Sequence, residues 1–152
     1  METAVHTDSP TQNTATAQAL VADYMTAGPV TVEVTEPLYK IYENLGNGKY
    51  RHLPVVDAQG NCVGILSDRD LRNVMMALDI VIPAVNGEES KLEIEDVMSK
   101  NPLTVSPDTT LKHAAGMMMQ HVVGALPVTA ADGKLAGIVT YTDVLRAYCE
   151  VS

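Results

Sequence analysis

The stretch LPVVDAQGNCVGILSDRD at residues 53–70 decides the fold, because it returns as LPVTAADGKLAGIVTYTD at residues 126–143. A second pair agrees with it, since VADYMTAGPVTV at 21–32 returns as IEDVMSKNPLTV at 94–105. Both pairs are related by one shift of 73 residues without a gap. Self-similarity at a fixed period indicates repeated structural units. Two units are too few for a solenoid, so we expect two copies that pack face to face about a pseudo-two-fold axis, with ligand-sized clefts between them.

Each copy predicts the same order of elements, β-α-β-β-α, and so an α/β fold of the α+β type. A short extended piece comes first and a helix follows, with an apolar stripe that includes Leu38, Ile41 and Leu45 in the first copy. Two strands around a glycine-containing turn then predict a hairpin. These strands are Leu53–Val56 and Cys62–Leu66 in the first copy, and Leu126–Thr129 and Leu135–Val139 in the second. A last helix begins near Ser67 or Thr140, whose hydroxyl is a natural N-cap.

The repeats also predict the boundaries along the chain. Residues 1–19 are rich in Thr, Ala and Gln with few large apolar groups, which is typical of a flexible tail. The first copy is expected at 20–78 and the second at 94–150, with a linker at 79–93 between them.

Composition excludes several classes of partner. The chain has 152 residues, 46% of them apolar, which is enough material for a core. Its formal charge is −9 and no stripe of Lys and Arg is present, so we expect no nucleic-acid partner. No apolar run approaches the roughly 20 residues of a membrane helix, and the first residues do not resemble a secretory signal. We therefore expect a cytoplasmic protein without membrane contact.

A hydroxyl and a carboxylate recur at the start of the last helix of each copy, as Ser67 with Asp70 and as Thr140 with Asp143. Residues i and i+3 lie on one side of a helix, and the helix start offers free N–H groups. The carboxylate is suited to accept two hydrogen bonds from a vicinal diol such as that of ribose. The same pattern is also a plain capping box, which needs no ligand. Both interpretations are open at this point.

Catalysis and metal binding find no support in the residues. The four histidines, at positions 6, 52, 113 and 121, share no spacing with acids or cysteines that suits a metal. Ser67 and Thr140 have no neighbouring His–carboxylate pair to activate them. We expect no catalytic residue, no metal and no enzymatic activity.

The ordered pattern D-x-M-x-x-x-P, T-V, L-P-V and G-I-h-S/T-x-x-D, present twice within 21–150, resembles a tandem pair of cystathionine-β-synthase (CBS) domains, also called a Bateman module. The resemblance implies a regulatory module that binds AMP, ADP, ATP or S-adenosylmethionine in two clefts and serves as no catalyst. It also implies a homodimer, and an unidentified regulated protein as partner.

The resemblance assigns the site residues as well. In the first cleft, Asp70 and Ser67 would hold the ribose. Around them it places Ile65, Leu103 and Val123 as walls for the base, and Arg51 and His52 facing the phosphate. Arg69 is expected to gather with these cations. In the second cleft, Asp143 and Thr140 would hold the ribose. Their expected neighbours are Ile138, Thr142, Val30 and Tyr50.

The two clefts are expected to differ in charge. Arg51, His52 and Arg69 of the first copy correspond to Gly124, Ala125 and Thr142 of the second. A guanidinium suits a phosphate, so the Asp70 cleft is expected to prefer charged nucleotides, whereas the Asp143 cleft stays empty or takes a less anionic adenosine compound. The alternative is that Arg51 and Arg69 form surface pairs with Asp68 and Asp57.

Two functions remain open from the sequence. The first is a stand-alone sensor of adenosine-containing ligands that acts on a partner protein or on its own oligomer. The second is a structural dimerisation or interaction module with degenerate pockets. A panel of nucleotides that leaves the melting temperature unchanged would favour the second.

Overall fold

The computed structural model describes residues 18–38, 41, 50–78 and 93–151. The predicted tail and linker lie almost wholly outside these residues, and so does Leu45. In chain order the elements are α1 (Val21–Tyr24), β1 (Thr26–Ala27), β2 (Val32–Glu33), β3 (His52–Val56), β4 (Cys62–Ser67), α2 (Asp68–Leu78), α3 (Ile94–Val97), β5 (Ser99–Lys100), α4 (Leu111–His121), β6 (Ala125–Thr129), β7 (Leu135–Thr140) and α5 (Tyr141–Val151).

Two antiparallel hairpins, β3–β4 and β6–β7, form the centre of the two copies. Their registers match at the shift of 73 residues, with Leu53 opposite Leu66 and Leu126 opposite Val139. Each hairpin turns at a glycine with positive φ, 84° at Gly60 and 83° at Gly133. Such a backbone is costly for other residues, which explains the glycine at the same place in both turns. The predicted strands are present, each within one residue of its predicted ends.

The opening strands are shorter than the sequence predicts. In the first copy β2 runs parallel to β3, with Val32 opposite Val55. In the second copy a single parallel bridge joins Val105 to Val128. The first copy's predicted helix with Leu38, Ile41 and Leu45 lies mostly outside the described residues, whereas its counterpart in the second copy is α4. The other described elements recur in the same order, and the α+β prediction of two related copies is confirmed.

The segments that lead into each copy are exchanged between the copies. β1 pairs antiparallel with β7 of the second copy, where Thr26 lies opposite Ile138. β5 pairs antiparallel with β4 of the first copy, where Ile65 lies opposite Ser99. The sheets therefore have the strand orders β2-β3-β4-β5 and β1-β7-β6. The sequence alone does not predict this exchange.

A methionine and a glycine make the closest contact at each exchanged strand. A Cβ atom placed on Gly137 would lie 2.7 Å from Met25 Sδ and 2.8 Å from the Thr26 carbonyl oxygen. A Cβ on Gly64 would likewise collide with Met98 Sδ. The glycine of the G-I motif in one copy thus accommodates the methionine of the D-x-M motif that precedes the other copy.

The exchange also completes both hydrophobic cores. Val21 is fully buried in the core of the second copy, together with Leu111, Met118 and Leu126. Ile94 is fully buried in the core of the first copy. Its other buried members are Val32, Leu38, Ile41, Leu53, Val55, Leu66, Leu71 and Val97. Since each core contains side chains from both copies, neither copy buries its apolar surface alone.

The two hairpin turns touch as well. Leu135 N–H donates to the Gly60 carbonyl at 3.3 Å, and Lys134 Nζ donates to the Gln59 carbonyl at 2.8 Å. Together with the exchanged strands, these bonds fix the orientation of one copy against the other.

Gly137→Ala is expected to lower the free energy of unfolding by about 1–3 kcal/mol, the usual cost of overpacking, because its new Cβ meets a backbone oxygen. Gly116→Ala is the matched control: it lies inside α4 with no atom within 4 Å of the added Cβ. That change is expected to raise stability by about 0.5–1 kcal/mol, because alanine favours a helix interior. Urea denaturation measures both. A Gly137→Ala protein as stable as the wild type would contradict the close contact.

Candidate functional site

The hydroxyl–carboxylate pair at each helix start forms a cap. Ser67 N–H donates to Asp70 Oδ2 at 3.1 Å, and Asp70 N–H donates to Ser67 Oγ at 3.0 Å. In the second copy, Thr140 N–H and its hydroxyl donate to Asp143 Oδ2 at 2.9 and 3.2 Å. The first copy therefore has the reciprocal capping box, whereas in the second copy the carboxylate accepts both bonds from Thr140. These bonds use one oxygen of each carboxylate, and the Oδ1 of Asp70 accepts no hydrogen bond from a described residue.

The larger cavity, of about 1150 Å³, lies between the two copies at the start of α2. Its volume is slightly above the about 300–1000 Å³ that is usual for ligand sites. The structure brings all eight residues predicted for the first cleft to its walls, which are Ser67, Asp70, Arg69, Arg51, His52, Ile65, Leu103 and Val123.

Further residues line this cavity that were not predicted from the sequence. Lys100 and Asn101 reach it because β5 pairs with the first copy, and Tyr141 reaches it from the start of α5. Asn73 contributes from α2. Asn73 could have been predicted, because it lies three residues after Asp70 on one helix and so on the same side. Lys100 could not, because its place at the cavity depends on the exchange of strands.

Cations outnumber acids around the larger cavity. Arg72 pairs with Asp68 at 3.6 Å, and Lys100 lies 3.8 Å from Glu95. Arg51 and Arg69 are exposed and make no ion pair with any described residue. The alternative in which they pair with Asp68 and Asp57 is therefore not seen in the described part of the chain. Asp57 instead accepts the N–H groups of its own turn, from Gln59 and Asn61.

The smaller cavity, of about 290 Å³, lies at the start of α5. Four of the six residues predicted for the second cleft line it, which are Tyr50, Ile138, Thr140 and Thr142. Val30 and Asp143 are not among its walls. Asp143 is only 8% exposed, and its Oδ1 lies 3.4 Å from Arg146 Nη2.

A shared wall separates the two cavities, formed by Arg51, His52, Gly124 and Tyr141. A Cβ on Gly124 would lie 3.4 Å from His52 Nε2 and 3.5 Å from Tyr141 Cδ2, so the glycine admits both rings. The second copy supplies no cation at this position, as its sequence indicated. Arg51 of the first copy nevertheless lines the smaller cavity too.

Burial lowers the pKa of the His52 imidazole below its ordinary value. The nearby carboxylates of Asp68 and Asp70 act in the opposite direction, and the Arg51 guanidinium adds to the lowering. His52 in the wall is therefore a neutral ring at neutral pH, available as a donor and an acceptor.

Within the described residues, no three His, Cys, Asp or Glu side chains gather in a group suited to a metal ion. No described helix combines the length and apolar character needed to cross a membrane.

The family model for the CBS domain matches this chain twice, at residues 21–77 and 94–150. The chain belongs to the CBS domain family. A CBS domain-containing protein of Dictyostelium discoideum is 34% identical over 139 residues, which cover 88% of this chain and 94% of that protein. YtoI of Bacillus subtilis is 35% identical, with 84% of this chain matching 26% of its length.

Solved CBS structures show the same fold. CBSX2 of Arabidopsis thaliana, crystallised in complex with AMP, is 32% identical and superimposes with a TM-score of 0.74 over 88% of this chain and 98% of its own. The CBS domain pair of protein MJ0100, in complex with 5′-methylthioadenosine and S-adenosyl-L-methionine, is 26% identical with a TM-score of 0.74. That match covers 88% of this chain and 98% of the other. These relatives confirm that the chain is a tandem CBS pair.

His52 is expected to make stability depend on pH. Because its pKa is lower in the folded chain, the unfolded chain binds more protons as the pH falls below about 6.5, and folding loses stability there. Above that pH both states are neutral and the contribution vanishes. Between pH 7.5 and 5.5, His52→Gln is expected to lose less free energy of unfolding than the wild type does. His121→Gln, at an exposed position, is the control. Equal losses in His52→Gln and the wild type would contradict a buried neutral ring.

Proposed function

We propose that this CBS pair is a regulatory sensor of an adenosine-containing ligand, AMP, ADP, ATP or S-adenosylmethionine, bound in the larger cavity. One observation carries the proposal. Asp70 lines a cavity between the copies with one oxygen fixed by the cap, and no described residue donates a hydrogen bond to the other oxygen. The AMP and S-adenosyl-L-methionine complexes of related CBS pairs support this class of ligand.

The walls of the cavity match the parts of such a ligand. Asp70 Oδ1 and the Ser67 hydroxyl suit a ribose diol, because a carboxylate accepts both of its hydrogen bonds. Ile65, Leu103 and Val123 offer apolar surface for the base, and Leu103 is 39% exposed. A base covering this side chain would remove it from water.

The cations favour an anionic ligand. Arg51 and Arg69 are free of ion pairs with described residues, so a phosphate gains their charge without breaking a bond. Lys100, from the exchanged strand β5, adds a third positive group. AMP is therefore expected to bind more tightly than adenosine.

Regulation follows from the position of the cavity between the copies. A ligand that contacts both copies stabilises the relative orientation of the copies in which it binds most tightly. This shift in orientation changes the surface that the module presents to a partner. We place no catalysis in this chain. The regulated partner protein and the cytoplasmic location stay predictions from the sequence.

A homodimer is our proposal for the assembly. α4 and α5 expose a group of large apolar side chains on adjacent helices, which are Met119 (76% exposed), Leu145 (64%) and Tyr148 (63%). A second copy of the chain that covers this face would bury apolar surface, which favours association.

Asp70→Ala is expected to weaken AMP binding about 10- to 100-fold, because hydrogen bonds to a charged group contribute about 1.5–3 kcal/mol. Asp143→Ala loses the equivalent cap in the other copy and is the matched control, expected to bind AMP like the wild type. Isothermal titration calorimetry with AMP and with adenosine measures both. Loss of AMP binding in Asp143→Ala alone would overturn the assignment of the site. No binding of any of the four ligands to the wild type would favour the interaction module instead.

Leu145→Glu is expected to convert a dimer into a monomer, because it places a charge within the proposed contact. Gln120→Glu adds the same charge at an exposed position of α4 outside this apolar group and is expected to leave the dimer intact. Light scattering during size-exclusion chromatography gives the mass of each. A wild-type monomer, or a dimer that survives Leu145→Glu, would exclude this face as the interface.

A further inference from the structure

The two repeated carboxylates differ in what surrounds their second oxygen. Asp70 Oδ1 accepts no hydrogen bond from the described residues and lines the larger cavity. Asp143 Oδ1 lies 3.4 Å from Arg146 Nη2, one helical turn further along α5. In both copies Oδ2 accepts the main-chain N–H of the hydroxyl residue, and the Thr140 hydroxyl donates to Asp143 Oδ2 as well. At the second oxygen, Oδ1, the arginine is the difference between the two half-sites.

Arg146 is held in this place by three further contacts. Its Nη2 donates to the Tyr24 carbonyl at 2.9 Å, and its guanidinium lies 5.7 Å from the centre of the Tyr24 ring. Its Nε is 3.9 Å from Glu150 Oε1. An isolated surface ion pair contributes little and is easily broken. Here a ligand that displaced the arginine from Asp143 would disturb the contacts with Tyr24 and Glu150 as well.

The first copy has none of these three side chains at the matching positions. At the shift of 73 residues, Arg146 corresponds to Asn73, Tyr24 to Val97 and Glu150 to Ala77. Tyr24 reaches Arg146 only because α1, which precedes the first copy, packs on the second. The exchange of segments therefore gives one half-site an arginine clamp and leaves the other half-site open.

We propose that Arg146 closes the second half-site by occupying the carboxylate oxygen that a sugar diol would use. The chain then binds one nucleotide, at Asp70, although its repeated sequence provides two matching half-sites. The proposal rests on the same carboxylate–diol contact as the proposed function. Asp143 is 8% exposed and, like Arg146, is absent from the walls of the smaller cavity, since Arg146 lines a separate surface pocket with Tyr24 and Glu150. Arg146 is thus a specificity-determining residue outside the motif that supplies the ribose contact.

The test uses the Asp70→Ala background, so that the AMP binding that is measured belongs to the second half-site, at Asp143. Arg146→Asn introduces the residue that the first copy has at position 73, and Arg146→Gln is a second variant that keeps most of the side-chain stem. Combining each arginine variant with Asp70→Ala gives two double variants. Isothermal titration calorimetry is expected to show that each double variant binds AMP at least 10-fold more tightly than Asp70→Ala alone. Adding Asp143→Ala to the double variants is expected to abolish the gain. Lys112→Asn, which removes a positive charge at an exposed position of α4 that lines neither cavity, is the control and is expected to produce no gain.

Circular dichroism and a urea titration establish that the double variants are folded. Folded Arg146→Asn and Arg146→Gln double variants that bind AMP no better than Asp70→Ala alone would overturn the proposal. So would a wild type that already binds two AMP per chain with one site lost in Asp143→Ala. If the wild type binds none of the four ligands, the proposed function fails, but a gain in AMP binding on Arg146→Asn that depends on Asp143 would still support the clamp.

Discussion

The exchange of the leading segments is the constraint on which the rest of this structure depends. Strands of two residues have little stability of their own, so β1 and β5 persist because they complete sheets and cores built by the opposite copy. Val21 and Ile94 are fully buried there, each among side chains of the opposite copy. Gly64 and Gly137 are required at these places because a side chain would meet the incoming methionine.

The same exchange determines the chemistry of both half-sites. It brings Lys100 and Leu103 to the cavity that holds Asp70, and it brings Tyr24 to Arg146 beside Asp143. The wall between the cavities also combines both copies, with His52 from one packed on Gly124 from the other. Two half-sites related by sequence thus become one open cavity with free cations and one carboxylate engaged by an arginine.

Local chemistry explains which elements the sequence predicted well. The hairpins follow from alternating apolar residues around a glycine turn, and the helix starts follow from a hydroxyl with a carboxylate three residues later. Both signals lie within a few residues of the structure they predict. The family resemblance, more than local chemistry, led to the eight residues predicted for the larger cavity, since they belong to the repeated motifs or adjoin them.

The exchange could not be predicted, for a reason that the repeat itself supplies. β1 fits the G-I strand of either copy, because both strands have the Gly-Ile pair among apolar residues. Pairing within a copy and pairing between copies therefore look alike in the sequence. Without knowledge of the exchange, the sequence could predict neither the position of Lys100 at the larger cavity nor the contact of Tyr24 with Arg146. Arg146 had a weaker signal of its own, its spacing of three residues from Asp143 on one helix.

The burial of Ile94 and Val97 in the first core has a consequence for synthesis of the chain. While only the first 93 residues have left the ribosome, the sheet of the first copy has an unpaired edge at β4 and a core without these two side chains. Folding of that copy is completed only after residues 94–100 emerge. The order of translation and the order of assembly therefore differ, and a nascent chain exposes a strand edge that another nascent chain is able to pair with.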